Sequence, residues 1–299
     1  MLAHKYKLLE KLSQGSFGKV FKAENIRTGE IVAIKTEVKS KEQKSLKMEA
    51  RIYQYLANID GFPQLKWFGA TNNVNYLVTN LLECSITNLI KKYGRLSVKT
   101  VLLLGIQMIL RLETLHNNYL IHRDIKPDNF MINISDKTNK IYLIDFGFCK
   151  RYNHEGKHIE FKTNNSLIGT PNYVSLNVHK GSEPSRRDDI ESCLYVMIYM
   201  LFGKFFSTEP PSENLNINPM KILVYKKEQL TNVPRFLTVA INYVRTLKFE
   251  EEPDYQYIIR IFTELLSEQR KLDGYNEKEN EEEDEGLEEE EEEDEYEWS

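Results

Sequence analysis

Apolar and polar positions alternate over Tyr6–Leu12 and again over Val20–Glu24, with Ser13-Gln14-Gly15-Ser16-Phe17-Gly18 between them. That pattern predicts a β-hairpin with a glycine-bearing turn. Glu30–Glu37 (EIVAIKTE) follows a turn at Thr28-Gly29 and predicts a third strand. Over Lys44–Leu56 the period lengthens: Leu46, Ile52, Tyr53 and Leu56 mark one face of a helix. Two more strands are expected around Leu65–Ala70 and Asn75–Thr79, so a small β-rich unit with one helix should end near Leu82.

Helical spacing dominates from there. Ser97 is the expected N-cap of a long helix whose apolar positions are Val98, Val101, Leu102, Met108, Ile109, Leu112 and Leu115. Lys140–Ile144 (KIYLI) reads as a strand, and Lys150–Ser185 as loop-rich. Asp188–Phe202 is apolar on most sides, which predicts a buried helix with Gly203 as its stop. Ser207–Pro219 is expected to be a loop, and Val233–Leu247 and Tyr255–Leu266 to be helices. Beyond Gly274 the composition collapses to Glu and Asp, a tract that cannot bury enough apolar surface to offset its ordering entropy and is expected to be disordered. The fold class that follows is α+β, with a β-rich lobe over 1–82, a helical lobe over 83–272 and an acidic tail over 273–299.

At 299 residues, 41% apolar and 28% charged, the chain has the composition of a soluble globular protein. Its net charge of −5 conceals an asymmetry. Residues 277–297 hold 16 acidic residues and one lysine, and the remainder carries 39 Lys and Arg against 29 Asp and Glu. A basic body suits anionic nucleotides and acidic substrates, and it also permits nonspecific nucleic-acid binding. The three cysteines, Cys84, Cys149 and Cys193, are odd in number and lack metal-ligand spacing, which points to a reducing compartment: cytoplasm, with the nucleus as the alternative. No apolar stretch of signal-peptide length opens the chain, and the longest apolar run, Cys193–Phe202, is too short to span a bilayer, so no membrane association is expected.

The chemistry concentrates in Ile121–Cys149. His122-Arg123-Asp124 is followed at Asn129 by an amide and, after the KIYLI strand, by Asp145-Phe146-Gly147. An acid in a turn at a strand end, facing a loop with another acid and an amide, suits a divalent metal on oxygen ligands beside a base. These elements match the H-R-D…N and D-F-G motifs of protein kinases, and the chain resembles that family. The resemblance implies a bilobal fold, ATP and Mg²⁺. It implies that Leu12, Ser13, Gln14, Gly15, Ser16, Phe17, Gly18, Val20 and Ala33 border the nucleotide, with Gly15 and Gly18 letting the backbone approach the phosphates and Ser13 standing where the family has its first glycine. Lys35, in Val32-Ala33-Ile34-Lys35, should contact the phosphates and pair with Glu49, with Glu42 the weaker candidate. Thr79 takes the gatekeeper place, which implies an accessible back pocket, and Asn80–Leu82 the adenine hinge, so Thr79 and Leu82 join the nucleotide site. Asp124 should orient the substrate hydroxyl or accept its proton, Asn129 and Asp145 should ligate Mg²⁺, and Thr170 should bond Asp124 and Lys126. Lys126 at its place marks Ser/Thr rather than Tyr kinases.

A narrower resemblance, to the casein kinase 1 family, runs from about Tyr6 to Leu266. It rests on Ser175-Leu176-Asn177 in place of the usual A-P-E, on Glu183-Pro184-Ser185-Arg186-Arg187-Asp188-Asp189-Ile190-Glu191-Ser192, and on Pro253-Asp254-Tyr255. It implies a Ser/Thr kinase that needs no activation-segment phosphorylation and prefers acidic or pre-phosphorylated protein sites; a monomer is expected. Two departures bear on that preference: Asn172 replaces an arginine and Asn165 a lysine of the family's anion-binding cluster, while Lys162 remains basic. An Arg-to-Asn change removes charge and a bidentate fork, so weaker dependence on a priming phosphate is expected. The segment between Lys226 and Val233 is also shorter than in typical members. The acidic tail admits three roles: a solubilising spacer, an autoinhibitory mimic of acidic substrate, or a docking tail for basic partners such as chromatin or RNA-binding proteins. Two other functions compete. A pseudokinase scaffold should lack at least one of Lys35, Asp124 and Asp145, and all three are present. A nucleic-acid-binding module would use the basic body without needing them.

Overall fold

The structure, a computed structural model, describes residues 2, 4–15, 18–39, 45–135, 138–204 and 233–269. Ser16, Phe17, Glu42, the loop expected over Ser207–Pro219, the shortened segment after Lys226 and the acidic tail lie outside the described residues.

The N-terminal part is a five-stranded sheet. Strands β1 (Tyr6–Gly15), β2 (Gly18–Asn25), β3 (Ile31–Val38), β4 (Leu65–Ala70) and β5 (Val74–Asn80) follow the order β1-β2-β3-β5-β4, every neighbouring pair antiparallel. The two-residue alternation of a strand gives this sheet two faces with different work. Val32 and Ile34 of β3 and Tyr76 and Val78 of β5 join Tyr6 and Ala23 in a buried apolar cluster, against which Leu2 packs. The intervening residues, Ala33, Lys35, Leu77 and Thr79, face a cleft. Their register is fixed by pairing: Ala33 lies opposite Thr79, and Lys35 opposite Leu77 on one side and Val20 on the other. Helix α1 (Ser45–Tyr55) buries the expected Leu46, Ile52 and Tyr53, with Ala50 beside them, and the expected Leu56 is buried just past its end.

The C-terminal part is helical. Ser85 caps α2 (Ile86–Tyr93) in a reciprocal box with Asn88, and Ser97 caps α3 (Val98–Asn117), its side chain accepting from the Thr100 amide. A short helix, α4 (Leu176–His179), precedes α5 (Arg186–Phe202), in which Ile190, Cys193, Leu194, Val196, Met197 and Met200 are fully buried. Full burial of such side chains contributes about 1.5–3 kcal/mol each, so α5 is the axis on which this lobe is assembled. It stops at Gly203, whose φ of +71° is the left-handed turn that glycine adopts without strain. Helices α6 (Arg235–Thr246) and α7 (residues 255–269) close the core through Leu237, Ile241, Ile258 and Phe262. The result is the expected α+β bilobal arrangement, a β-rich lobe followed by a helical one.

The loop-rich reading of Lys150–Ser185 misses two small elements besides α4. Lys150–Arg151 forms a two-residue strand against Leu120–Ile121, and Asn153–His154 pairs with Lys157–His158. Two-residue strands carry no measurable period, so alternation cannot reveal them. Among the described residues, no helix is long and apolar enough to cross a membrane.

Candidate active site

A cleft of about 1020 Å³ separates the inner face of the sheet from the helical lobe. Leu12, Ser13, Gln14, Gly15, Val20, Ala33, Lys35, Glu49, Thr79 and Leu82 all border it, as do Lys126, Asn129, Asp145 and Thr170. Asp124 lies just behind that surface, buried, and is tied to it through Thr170 and Lys126.

Gly18 has a structural requirement of its own. It is not among the residues lining the cleft. Its φ is +130°, and a Cβ there would fall 1.8 Å from the carbonyl oxygen of Thr36 on β3. The glycine is required by close approach of two backbones inside the sheet, whereas Gly15 has open space around its Cα.

Lys35 projects from β3 across the cleft and donates to Glu49 Oε2 and to Asp145 Oδ1, each at 2.7 Å. The cleft-facing parity of β3 and the inward face of α1 bring Lys35 and Glu49 together, and Glu49 is only 1% exposed. Burial pulls the Lys35 ammonium down, but the two carboxylates outweigh it and hold the pKa above its ordinary value. Burial pushes Glu49 up to about 7 despite Lys35. Burial also disfavours the charge on Asp145, yet Lys35 holds that carboxyl below the usual range. The site therefore keeps one firmly ionised acid, Asp145, and one that titrates near neutrality, Glu49.

Asp145 sits at φ +66°, a left-handed conformation uncommon outside glycine. What holds it there is the next residue. Phe146 is buried with its ring 4.9 Å edge-on from Tyr53 of α1 and 5.6 Å from His122, and the Asp145 amide donates to the Tyr53 hydroxyl at 3.3 Å. Opposite, Asp124 Oδ1 accepts from Thr170 Oγ1 at 2.7 Å and Oδ2 from Lys126 Nζ at 2.6 Å. Asn129 Nδ2 donates to the Asp124 carbonyl at 2.8 Å, which leaves its amide oxygen as the group available to a cation. Among the described residues, no group of three or more His, Cys, Asp and Glu side chains forms a metal cluster. One carboxylate and one amide oxygen nevertheless suit Mg²⁺, which keeps several waters and takes phosphate oxygens as its other ligands.

The loop carrying Asp124 is fixed by a residue to which sequence reasoning gave no role. Asp189 of α5 accepts the His122 amide at 2.6 Å and the Arg123 amide at 2.8 Å. Arg123 has φ +68°, and its guanidinium Nε donates to the Phe148 carbonyl at 2.6 Å. The available signal was the pair Asp188-Asp189 opening an otherwise apolar helix, since a buried acid in such a place needs donors. Asp188 finds its own: it accepts from Ser175 Oγ at 2.5 Å and from the Ser185 amide at 2.8 Å, while burial raises its carboxyl to about 6. Tyr53, Leu77, Met131 and Ile144 also line the cleft. As apolar residues of helix and strands they read as ordinary core.

A cation bridged to two acids, a third acid bonded by a threonine and a lysine, and an amide between them gather at one cleft. The family model described as protein kinase domain matches residues 6–271, which takes in both lobes and every one of these side chains, and the chain belongs to the protein kinase family.

Proposed function

We propose that the chain transfers the γ-phosphoryl group of ATP to serine and threonine hydroxyls of protein substrates, in the manner of the casein kinase 1 family. The observation that carries this reading is the meeting, across one cleft, of the Lys35–Glu49–Asp145 cluster with Asp124, Lys126, Thr170 and Asn129. Adenine would lie against Asn80–Leu82, between Ala33 and the apolar Met131 and Ile144, and Lys35 would hold the phosphates. Asp145 and Asn129 are the residues that would hold Mg²⁺, which when bound supplies the positive charge that neutralises the phosphate oxygens. Asp124 orients the acceptor hydroxyl and takes up its proton. Thr170 and Lys126 fix the Asp124 carboxylate from both oxygens, and the Lys126 ammonium lies where negative charge must be balanced as the phosphoryl group moves.

Three observations support the narrower reading. Lys126 stands two residues after Asp124. The Ser175-Leu176-Asn177 and Arg186–Ser192 segments are bonded to one another through Ser175 and Asp188, so the two motifs form one structural unit. Arg123 Nε donates to the Phe148 carbonyl, and Lys150 pairs with Glu183 at 2.7 Å, so internal acceptors engage basic groups of this segment, which supports a kinase that needs no activation-segment phosphorylation. On the substrate side, the Asn165 side chain is uncharged and its Nδ2 donates to the Lys162 carbonyl at 3.4 Å, which supports weakened priming.

Incorporation of label from radioactive ATP into casein, measured beside an Asp145→Asn control, tests the reading. Transfer should be abolished in the control; equal incorporation by the two proteins refutes it.

A further inference from the structure

Beneath the loop that carries Asp124 runs a buried chain of hydrogen bonds whose side chains do not line the cleft. Tyr255 opens α7, His116 lies in the last turn of α3, and Asp189 belongs to α5; they are 4%, 1% and 2% exposed. Tyr255 Oη lies 2.7 Å from His116 Nδ1, and His116 Nε2 lies 3.1 Å from Asp189 Oδ2. The same Oδ2 accepts the His122 amide, while Oδ1 accepts that of Arg123.

Chemistry fixes the protons. Burial raises the Asp189 carboxyl, but the hydrogen bonds from His116 and from the His122 amide oppose it, and the group lies below its ordinary value and is ionised. A carboxylate only accepts, so His116 Nε2 must carry a hydrogen. Burial holds the imidazole below its ordinary range, with Arg186 and His122 adding to the effect and Asp189 opposing it, so the ring is neutral. A neutral imidazole has one N–H. Nδ1 is therefore a lone pair, and the 2.7 Å contact is the Tyr255 hydroxyl donating.

Resting on the kinase reading above, we propose that Tyr255 is a positioning residue: its hydroxyl locks His116 in the Nε2–H tautomer, which orients Asp189 to hold the backbone amides that set Asp124. In the other tautomer a nitrogen lone pair would face an oxygen anion at 3.1 Å. Asp189 would then turn away, and the Arg123 backbone, at φ +68°, would lose a hydrogen bond that maintains it. The last described helix is in this way wired to the loop of the candidate catalytic acid. Neither Tyr255 nor His116 borders the cleft, so the lock acts on turnover and not on nucleotide affinity.

The test uses the full chain with ATP and dephosphorylated casein. Tyr255→Phe removes only the hydroxyl, and should lower kcat roughly tenfold, the scale of one lost positioning hydrogen bond, with KM for ATP within about twofold of its starting value. His116→Gln supplies an amide donor to Asp189 that needs no tautomer, so adding Tyr255→Phe to it should change kcat by less than about twofold. A Tyr255→Phe protein with unchanged kcat, or one losing the same factor in both backgrounds, overturns the proposal. A second readout is independent of activity. In chain labelled with ¹⁵N-histidine, the His116 resonances, assigned among the six histidines by their loss in His116→Gln, should show a pure Nε2–H tautomer that becomes mixed in Tyr255→Phe. An Nδ1–H or mixed ring in the unmodified chain refutes the lock. Absence of phosphoryl transfer with the expected tautomers would instead refute the kinase reading and leave the lock standing.

Discussion

Lys35 of β3 and Glu49 of α1 form an ion pair at 2.7 Å in which the acid, not the base, is the component poised to titrate. Burial raises Glu49 to about 7 from an ordinary value of 4.5. As pH falls through 7 the carboxylate is neutralised and its charge–charge bond to Lys35 is lost. kcat/KM for ATP should therefore decline on the acid side of about pH 7, and a pH–rate profile of Glu49→Gln should lack that limb while lying about 10²-fold lower throughout. Stability moves the other way. A folded-state pKa above the unfolded one means that the folded chain binds more protons between about 4.5 and 7, so the contribution of Glu49 grows as pH drops through that window and is lost as pH rises through 7. Profiles of activity and of unfolding free energy, compared between the native chain and Glu49→Gln, should diverge accordingly.

The Thr170 hydroxyl donates to one oxygen of Asp124, while its carbonyl accepts the Tyr173 and Val174 amides. Thr170→Val keeps the shape and removes the donor. Roughly tenfold lower kcat with little change in KM for ATP is expected, and Thr170→Ser should restore most of the loss. A rise in KM without a fall in kcat would place the threonine in nucleotide binding instead.

Gly203 ends α5 at φ +71°, and a Cβ there would sit 1.9 Å from the Gly94 carbonyl oxygen. Because that neighbour is backbone, it cannot rotate aside. Gly203→Ala should lower unfolding free energy by at least about 2 kcal/mol in denaturant titration. Gly29→Ala, also at positive φ but with open space around it, should cost less, through backbone strain alone.

Two peptides that differ only by a phosphoserine three residues before the acceptor measure the priming preference. With asparagine at 165 and 172, their kcat/KM values should agree within a few-fold. Asn172→Arg, which restores a guanidinium, should favour the phosphorylated peptide by roughly tenfold more. A large native preference for the primed peptide would falsify this expectation.

What sequence could show here depended on whether a residue's role lay within its own segment. The sheet, α1, α3 and α5 were legible because their apolar periods are long and their caps, Ser97 and Gly203, are local signals. The cleft residues were legible by resemblance, since Lys35, Asp124, Asn129 and Asp145 come with fixed neighbours in the chain. Gly18 shows the limit of that approach: the motif offered one reason for a glycine, and the Thr36 carbonyl on the adjacent strand adds another that the motif does not contain. Asp189, His116 and Tyr255 lie 66 to 139 residues apart along the chain from the partners they bond. Nothing in a local pattern joins a buried acid on one helix to two amides in a loop.

The two amides held by Asp189 have a consequence in time as well as in space. The residues before Asp124 belong to no long helix or strand, yet their N–H groups end on a buried carboxylate rather than on water. In hydrogen exchange, His122 and Arg123 should be protected for as long as the amides of α5, and much longer than residues at the exposed turn Glu155-Gly156. The segment proposed to carry the chemistry would then open only when the whole helical lobe opens, and the slowest-exchanging irregular stretch among the described residues would mark the candidate active site.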